Sequence, residues 1–257
     1  MPSLHEKIKA LNSYSDHSLN TLVALAEINE TDIAALEASL TEKGIKVGDF
    51  IGAGGTAIIF ELENKDGKKI ESAVLRIEAK GISGNSKHPF VLQPITSVES
   101  ADHVAHIMPR AEKLESAPSS RAAALTLAAL NSNGVLPQAW DLRPDALMQL
   151  RKPGGELVRY SDNTPVLIVA DSNAVGSIAQ DTERDHIATI ARAFNLDAEK
   201  VRKNKLKREV VDAVAIQMDE VYSNVRKDIK DAGIVADEVQ QRSWQTRTSN
   251  RTGQSLG

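Results

Sequence analysis

Ile51-Gly52-Ala53-Gly54-Gly55-Thr56-Ala57-Ile58-Ile59 decides how this chain is read, because its glycines fall between two stretches of strand character, Val47 to Ile51 and Ala57 to Leu62. A glycine cluster at the mouth of a hairpin lets the backbone approach a phosphate group with no side chain in the way. A tight turn also accounts for such a cluster, so by itself it does not assign a function. The residues that follow, Ile58-Ile59-Phe60-Glu61-Leu62, have the pattern of a strand and not of a helix, which sets the stretch apart from a dinucleotide-binding fingerprint.

Outward from this hairpin, Lys69 to Ile77 reads as a third strand, joined to the second by the turn-forming pair Asp66-Gly67. A Gly, Ser and Asn stretch from Gly81 to Ser86 interrupts the pattern, and Phe90 to Val98 and His103 to Met108 read as two further strands. The expectation is a small antiparallel sheet of five strands. On the amino side, Leu19, Leu22, Val23, Leu25 and Ala26 form one helical stripe and Ile33, Leu36 and Leu40 another, with Asn29 and Thr31 as caps and Gly44 as the stop.

On the carboxyl side, Ser120 to Leu130 is Ala- and Leu-rich and ends at Asn133-Gly134, the pattern of a helix and its stop. Leu136 to Asn163 reads as loop, and Pro165 to Ala170 as an apolar strand. Ile187 to Phe194 and then Val210, Val211, Val214, Met218, Val221, Val225 and Ile229 carry helical stripes. The tail after Gln240 is polar.

The chain has 257 residues, 41% of them apolar and 26% charged, the balance of a folded protein and not of a disordered one. It has no cysteine, which excludes disulfides, thiolate zinc sites and thiol nucleophiles, and its six histidines lack metal-ligand spacing. No run reaches the roughly 18 apolar residues of a membrane span. Met1 to Leu11 mixes charged with isolated apolar residues, unlike a signal peptide. The location expected is cytoplasmic, or delivery into a host cell without a cleaved signal peptide.

Two further stretches carry chemistry. Ala139-Trp140-Asp141-Leu142-Arg143-Pro144-Asp145-Ala146 follows the predicted helix end, and thirty residues after Asp141 the apolar Leu167-Ile168-Val169-Ala170 ends in Asp171-Ser172-Asn173. With the glycine hairpin, the basic Arg76 at the end of Ala73-Val74-Leu75-Arg76, and His88-Pro89 before the fourth strand, this order resembles the protein kinase family over about Val47 to Ala174.

The resemblance implies an α+β, two-lobed protein-kinase-like fold: an N-terminal helical extension (1–45), a small lobe with the five-stranded antiparallel sheet and glycine loop (46–110), a reduced helical large lobe with the catalytic loop (111–240), and a tail (241–257). It also implies site residues. Asp141 matches the catalytic aspartate, with Arg143 in the same loop, and Asp171 matches the aspartate that holds magnesium. Gly52, Gly54, Gly55 and Arg76 would grip ATP, and Ile107 and Met108 would lie along the adenine.

Departures from the family pattern are equally specific. Ala146 replaces the asparagine that holds a second metal, and Ala139-Trp140 replaces the His-Arg pair. Between Arg76 and His88 there is no room for the helix whose glutamate pairs with the strand cation, so Glu27, Glu30 or Glu37 of the amino-terminal helices is the expected substitute. The sequence is compatible with an ATP- and Mg2+-dependent phosphotransferase, with a pseudokinase that presents a surface to a protein partner, and, more remotely, with a nucleotidyl transferase. Lys200 to Arg208 holds six basic residues in nine positions, a solvated helix face or a site for a phosphorylated ligand.

Overall fold

A computed structural model describes residues 2–11, 29–53, 57–81, 88–132, 136–137, 147–170, 175–176, 188–189 and 191–236. Helix α1 (Leu4–Leu11) opens the chain, an element the sequence reading did not expect. Its start is a capping box: the Ser3 N–H donates to Glu6 Oε2 at 2.7 Å and the Glu6 N–H donates to Ser3 Oγ at 3.2 Å. Leu4, Ile8 and Leu11 form its buried stripe. Helix α2 (Glu30–Glu42) starts as expected at Asn29, whose side chain accepts from the Thr31 N–H at 3.0 Å, and Gly44, at φ +78°, follows its end.

The sheet has five antiparallel strands, β1 (Ile45–Ala53), β2 (Ala57–Asn64), β3 (Lys69–Ala79), β4 (Thr96–Glu99) and β5 (His103–Pro109), in the order β1-β2-β3-β5-β4. The predicted strand Phe90 to Val98 shrinks to β4, because Pro94 has no N–H for a ladder. Residues 90–92 instead lie beside a distant strand, with a parallel bridge between Val91 and Val169. Helix α2 packs across β1, β4 and β5 and buries Ile33, Leu36 and Leu40 completely. Its Asp32 accepts from Ser100 Oγ (2.8 Å), the Ala101 N–H (2.8 Å) and His103 Nδ1 (2.6 Å), fastening the helix to the β4–β5 turn.

Beyond β5 the chain passes into a second, three-stranded sheet of order β6-β8-β9, built from β6 (Glu112–Lys113), β8 (Leu147–Gln149) and β9 (Ile168–Val169). Helix α3 (Ser120–Ser132) follows β6. A pair of very short strands, β7 (Leu136–Pro137) and β10 (Val175–Gly176), makes a third ladder. The stretch from Leu136 to Asn163, expected as loop, therefore contains two strands, and a narrow antiparallel excursion bridges Arg151 to Leu157 and Arg159 to Pro165.

Helix α4 (Ala198–Lys203) and the long α5 (Arg208–Asp231) complete the described fold. The predicted α5 stripe is present, with Val214, Met218, Val221, Val225 and Ile229 buried. Helix α5 packs on β3 and β5, and it is held by polar contacts as well. Tyr222 accepts from the Gln93 N–H at 2.7 Å, and Ser72 Oγ donates to Asp228 at 2.6 Å. One continuous apolar core runs from α1 through the sheet to β9 and α5. The architecture is α+β, and no helix among the described residues is long and apolar enough to cross a membrane.

Candidate functional site

The site begins with strand register. Residues directly opposite in an antiparallel ladder project from the same face, so the pairings Gly52 with Ile59, Ile59 with Arg76, Arg76 with His106, and His106 with Ser97 form one row across all five strands. Two residues along, Glu61, Val74 and Met108 form a second row on that face. Three of the expected nucleotide-binding residues, Gly52, Arg76 and Met108, therefore share one side of the sheet. Ile107 projects from the other side into the core, opposite Leu75, and its carbonyl accepts from the Ile95 N–H at 2.7 Å.

Arg76 is buried, and its guanidinium is engaged in two directions. Nε and Nη2 donate to Glu78 Oε2 at 2.8 and 2.7 Å, and Nη1 donates to the Ala170 carbonyl at 3.2 Å. Glu78 lies two residues along the same strand, hence on the same face, and is fully buried. Its other oxygen, Oε1, meets His106 Nε2 at 3.3 Å, and His106 Nδ1 lies 2.7 Å from Ser97 Oγ. Burial alone would raise the Glu78 carboxyl, but the His106 hydrogen bond and the Arg76 charge outweigh it and hold the group below the usual carboxylate range.

An ionised carboxylate can only accept, so His106 carries its proton on Nε2, and in the neutral ring Nδ1 accepts from the Ser97 hydroxyl. The carboxylate expected from the amino-terminal helices is thus supplied by β3 itself. Glu30 is exposed and lies 3.8 Å from His5, and Glu27 is outside the described residues. The sequence reading ended the strand at Ile77 and missed Glu78; the i, i+2 spacing of Arg76 and Glu78 on a strand is the signal that could have found it.

Gly54, Gly55, Asp141, Arg143 and Asp171 lie outside the described residues, but their flanks do not. Leu147 pairs with Val169 and Met148 with Ile168, in β8 and β9. Val175 pairs with Pro137 and Gly176 with Leu136, in β10 and β7. The two ladders therefore pair the residues that flank 138–146 with the residues that flank 171–174. Val169 is in turn fixed to the segment leading into β4: its N–H donates to the Phe90 carbonyl (2.8 Å) and its carbonyl accepts from the Leu92 N–H (2.9 Å).

Two other features bear on ligands. Lys200, Lys203, Lys205, Lys207 and Arg208 are all exposed, and Arg208 lies 3.5 Å from Asp212 one turn on. Among the described residues no group of three or more His, Asp or Glu side chains is arranged to hold a metal ion. No protein-family model matches the chain, and no curated protein matches it.

Proposed function

We propose that this chain is a divergent protein-kinase-like phosphotransferase that binds ATP with magnesium and moves the γ-phosphate to a hydroxyl of a protein or small molecule. The observation that carries this reading is a double pairing of flanks: the residues on either side of the Asp141 stretch pair with those on either side of the Asp171 stretch, β7 with β10 and β8 with β9, although thirty residues separate the two aspartates. Support also comes from Arg76, whose guanidinium reaches from the glycine-hairpin sheet to the carbonyl of the residue before Asp171.

MgATP, when bound, supplies an activated phosphoryl group whose transfer depends on positioning and on neutralising charge. Ile59, half-buried, lies on the face that carries Gly52 and Arg76 and is the apolar side chain there that a base could meet, because Val74 and Met108 on the same face are buried in the core. Arg76, whose charge Glu78 balances, places a guanidinium N–H on the carbonyl that follows β9. In this reading Asp171 provides the carboxylate for magnesium, and Asp141, with Arg143 in its loop, orients the acceptor hydroxyl and takes its proton.

A second reading, a nucleotide-binding or partner-binding pseudokinase, is favoured by a specific observation: Arg76 is already tied to Glu78 and to a backbone carbonyl. Thermal unfolding with ATP, with and without magnesium, followed by transfer from ATP labelled on the γ- or α-phosphate, separates the readings. Magnesium-dependent stabilisation and γ-transfer, both abolished in Asp171→Ala, with transfer alone abolished in Asp141→Ala, are expected. Stabilisation without transfer selects the pseudokinase, α-label incorporation selects nucleotidyl transfer, and no stabilisation at all ends the nucleotide reading.

A further inference from the structure

The sheet reaches the β9 end through a chain of polar groups that the general reading of the site leaves without a task. Ser97, His106, Glu78 and Arg76 lie on one face of β4, β5 and β3, and the chain ends on the Ala170 carbonyl, where β9 passes into the Asp171 segment. Each link has a definite role in orientation. Two guanidinium nitrogens on Glu78 Oε2 fix the plane of the Arg76 fork, and that plane aims Nη1 at Ala170. The Glu78 carboxylate would be free to rotate if Arg76 were its sole partner, and His106 on Oε1 prevents this. Ser97 fills the far ring nitrogen, so the imidazole is held at both ends.

We propose that Glu78 and His106 are positioning residues: they hold Arg76 on the Ala170 carbonyl, and so set where the Asp171 segment starts relative to the sheet. This rests on the phosphotransferase reading for its consequence, the magnesium affinity, but not for the contact itself. The cation of β3 therefore serves to locate the carboxyl end of β9, and its partner carboxylate is internal to the strand. No mobile helix is needed to complete the pair, so the arrangement is assembled whenever the sheet is folded.

Two measurements test it on the full chain. The first is amide hydrogen exchange of the protein without nucleotide. Glu78→Gln and His106→Ala are expected to raise exchange at residues 168–172 about tenfold while the β2–β3 ladder keeps wild-type protection. His106→Gln, whose amide can donate to Glu78 and accept from Ser97, is expected to restore protection. The second is a magnesium titration of the thermal stabilisation by ATP, set beside stabilisation by adenosine without metal. The half-saturating magnesium concentration is expected to rise about tenfold in Glu78→Gln and His106→Ala, with adenosine unchanged and with His106→Gln near wild type.

Unchanged exchange at 168–172 in both variants overturns the proposal, and so does a parallel loss of adenosine and magnesium response, which would mark general damage to the sheet. A wild-type protein that shows no magnesium-dependent ATP stabilisation overturns the functional reading and the magnesium consequence with it. In that case the exchange measurement still decides whether Glu78 and His106 hold the β9 end.

Discussion

The five-stranded sheet and the short ladders β7–β10 and β8–β9 are built on opposite terms. In the sheet, β3 pairs with β5 over seven successive residues, and Ile58, Phe60, Leu75, Ile77 and Ile107 are essentially inaccessible. In the ladders, β7, β9 and β10 have two residues each and β8 has three. Strands that short have little cohesion of their own, so the position of β9 is inherited from what it and its carboxyl end touch: residues 90–92, Arg76 and the common core. The chemistry proposed for Asp141 and Asp171 would therefore depend on the rigidity of the sheet, and changes in the sheet should reach the ladders that flank them.

The largest expected effect breaks that dependence at its source. Phe60→Ala removes a fully buried ring from the sheet and is expected to cost about 3–5 kcal/mol in urea unfolding. Because one core spans both regions, the loss should appear as a single transition by circular dichroism and by hydrogen exchange of the β8–β9 residues alike. Two separated transitions would show that the loop region stands independently of the sheet.

Next in size is the polar link between the regions. Arg76→Ala leaves Glu78 buried without its ion-pair partner, and a cost of about 3–5 kcal/mol is expected in the same assay. The double variant Arg76→Met with Glu78→Met replaces the pair by apolar groups and should recover most of that stability. It should still lose protection at residues 168–172, since the Ala170 contact is gone. Recovery of both would mean that the link contributes only to stability and not to the placement of β9.

These contrasts also explain what the sequence could and could not convey. The strand character of β2 and β3, the hairpin at Asp66-Gly67, the Asn29 cap and the α5 stripe were all legible, because each is a local pattern with one geometric solution. Helix α1 was equally available in Ser3 and Glu6 with Leu4, Ile8 and Leu11, but the segment was weighed as a signal peptide and not as a helix. The strand from Phe90 was overextended across Pro94. The ladders β7–β10 and β8–β9 were illegible for a different reason: two or three residues carry no periodicity, and their partners lie 20 to 40 residues away. For the site, strand register places Gly52, Arg76 and Met108 on one face of the sheet, whereas Ile107 faces the core.

The junction between the regions should also respond to acid. His88 precedes the segment that borders β9, its Nδ1 accepts from the Phe90 N–H at 3.2 Å, and burial pushes its imidazole down from 6.5 to about 4. The folded protein therefore keeps this ring neutral while the unfolded chain takes up a proton near pH 6.5. Stability is full above that value and falls as the pH drops from about 6.5 to about 4, by roughly 3 kcal/mol at most. Asp32 and Glu78, both held below their ordinary values, add losses only at lower pH, so the upper part of this window belongs to His88. Chemical denaturation at pH 7.5 and 5 should show the slope, and His88→Gln should flatten it.

The smallest effect probes the seam where the end of α2 meets the segment that follows α5. Gly44 closes α2 at φ +78°, and a Cβ there would sit 3.0 Å from the Gly233 carbonyl beyond the end of α5. Nearby, the Val235 N–H donates to the Lys43 carbonyl at 2.9 Å. Gly44→Ala combines the left-handed backbone penalty with this close approach and is expected to cost about 1–2 kcal/mol by thermal unfolding. The seam lies beside β1, far along the sheet from the Ala170 contact, so exchange at residues 168–172 should stay at its wild-type rate. If it rises, then even a small displacement at the sheet margin is transmitted to the loops, and their dependence on the sheet is tighter than the Arg76 link alone provides.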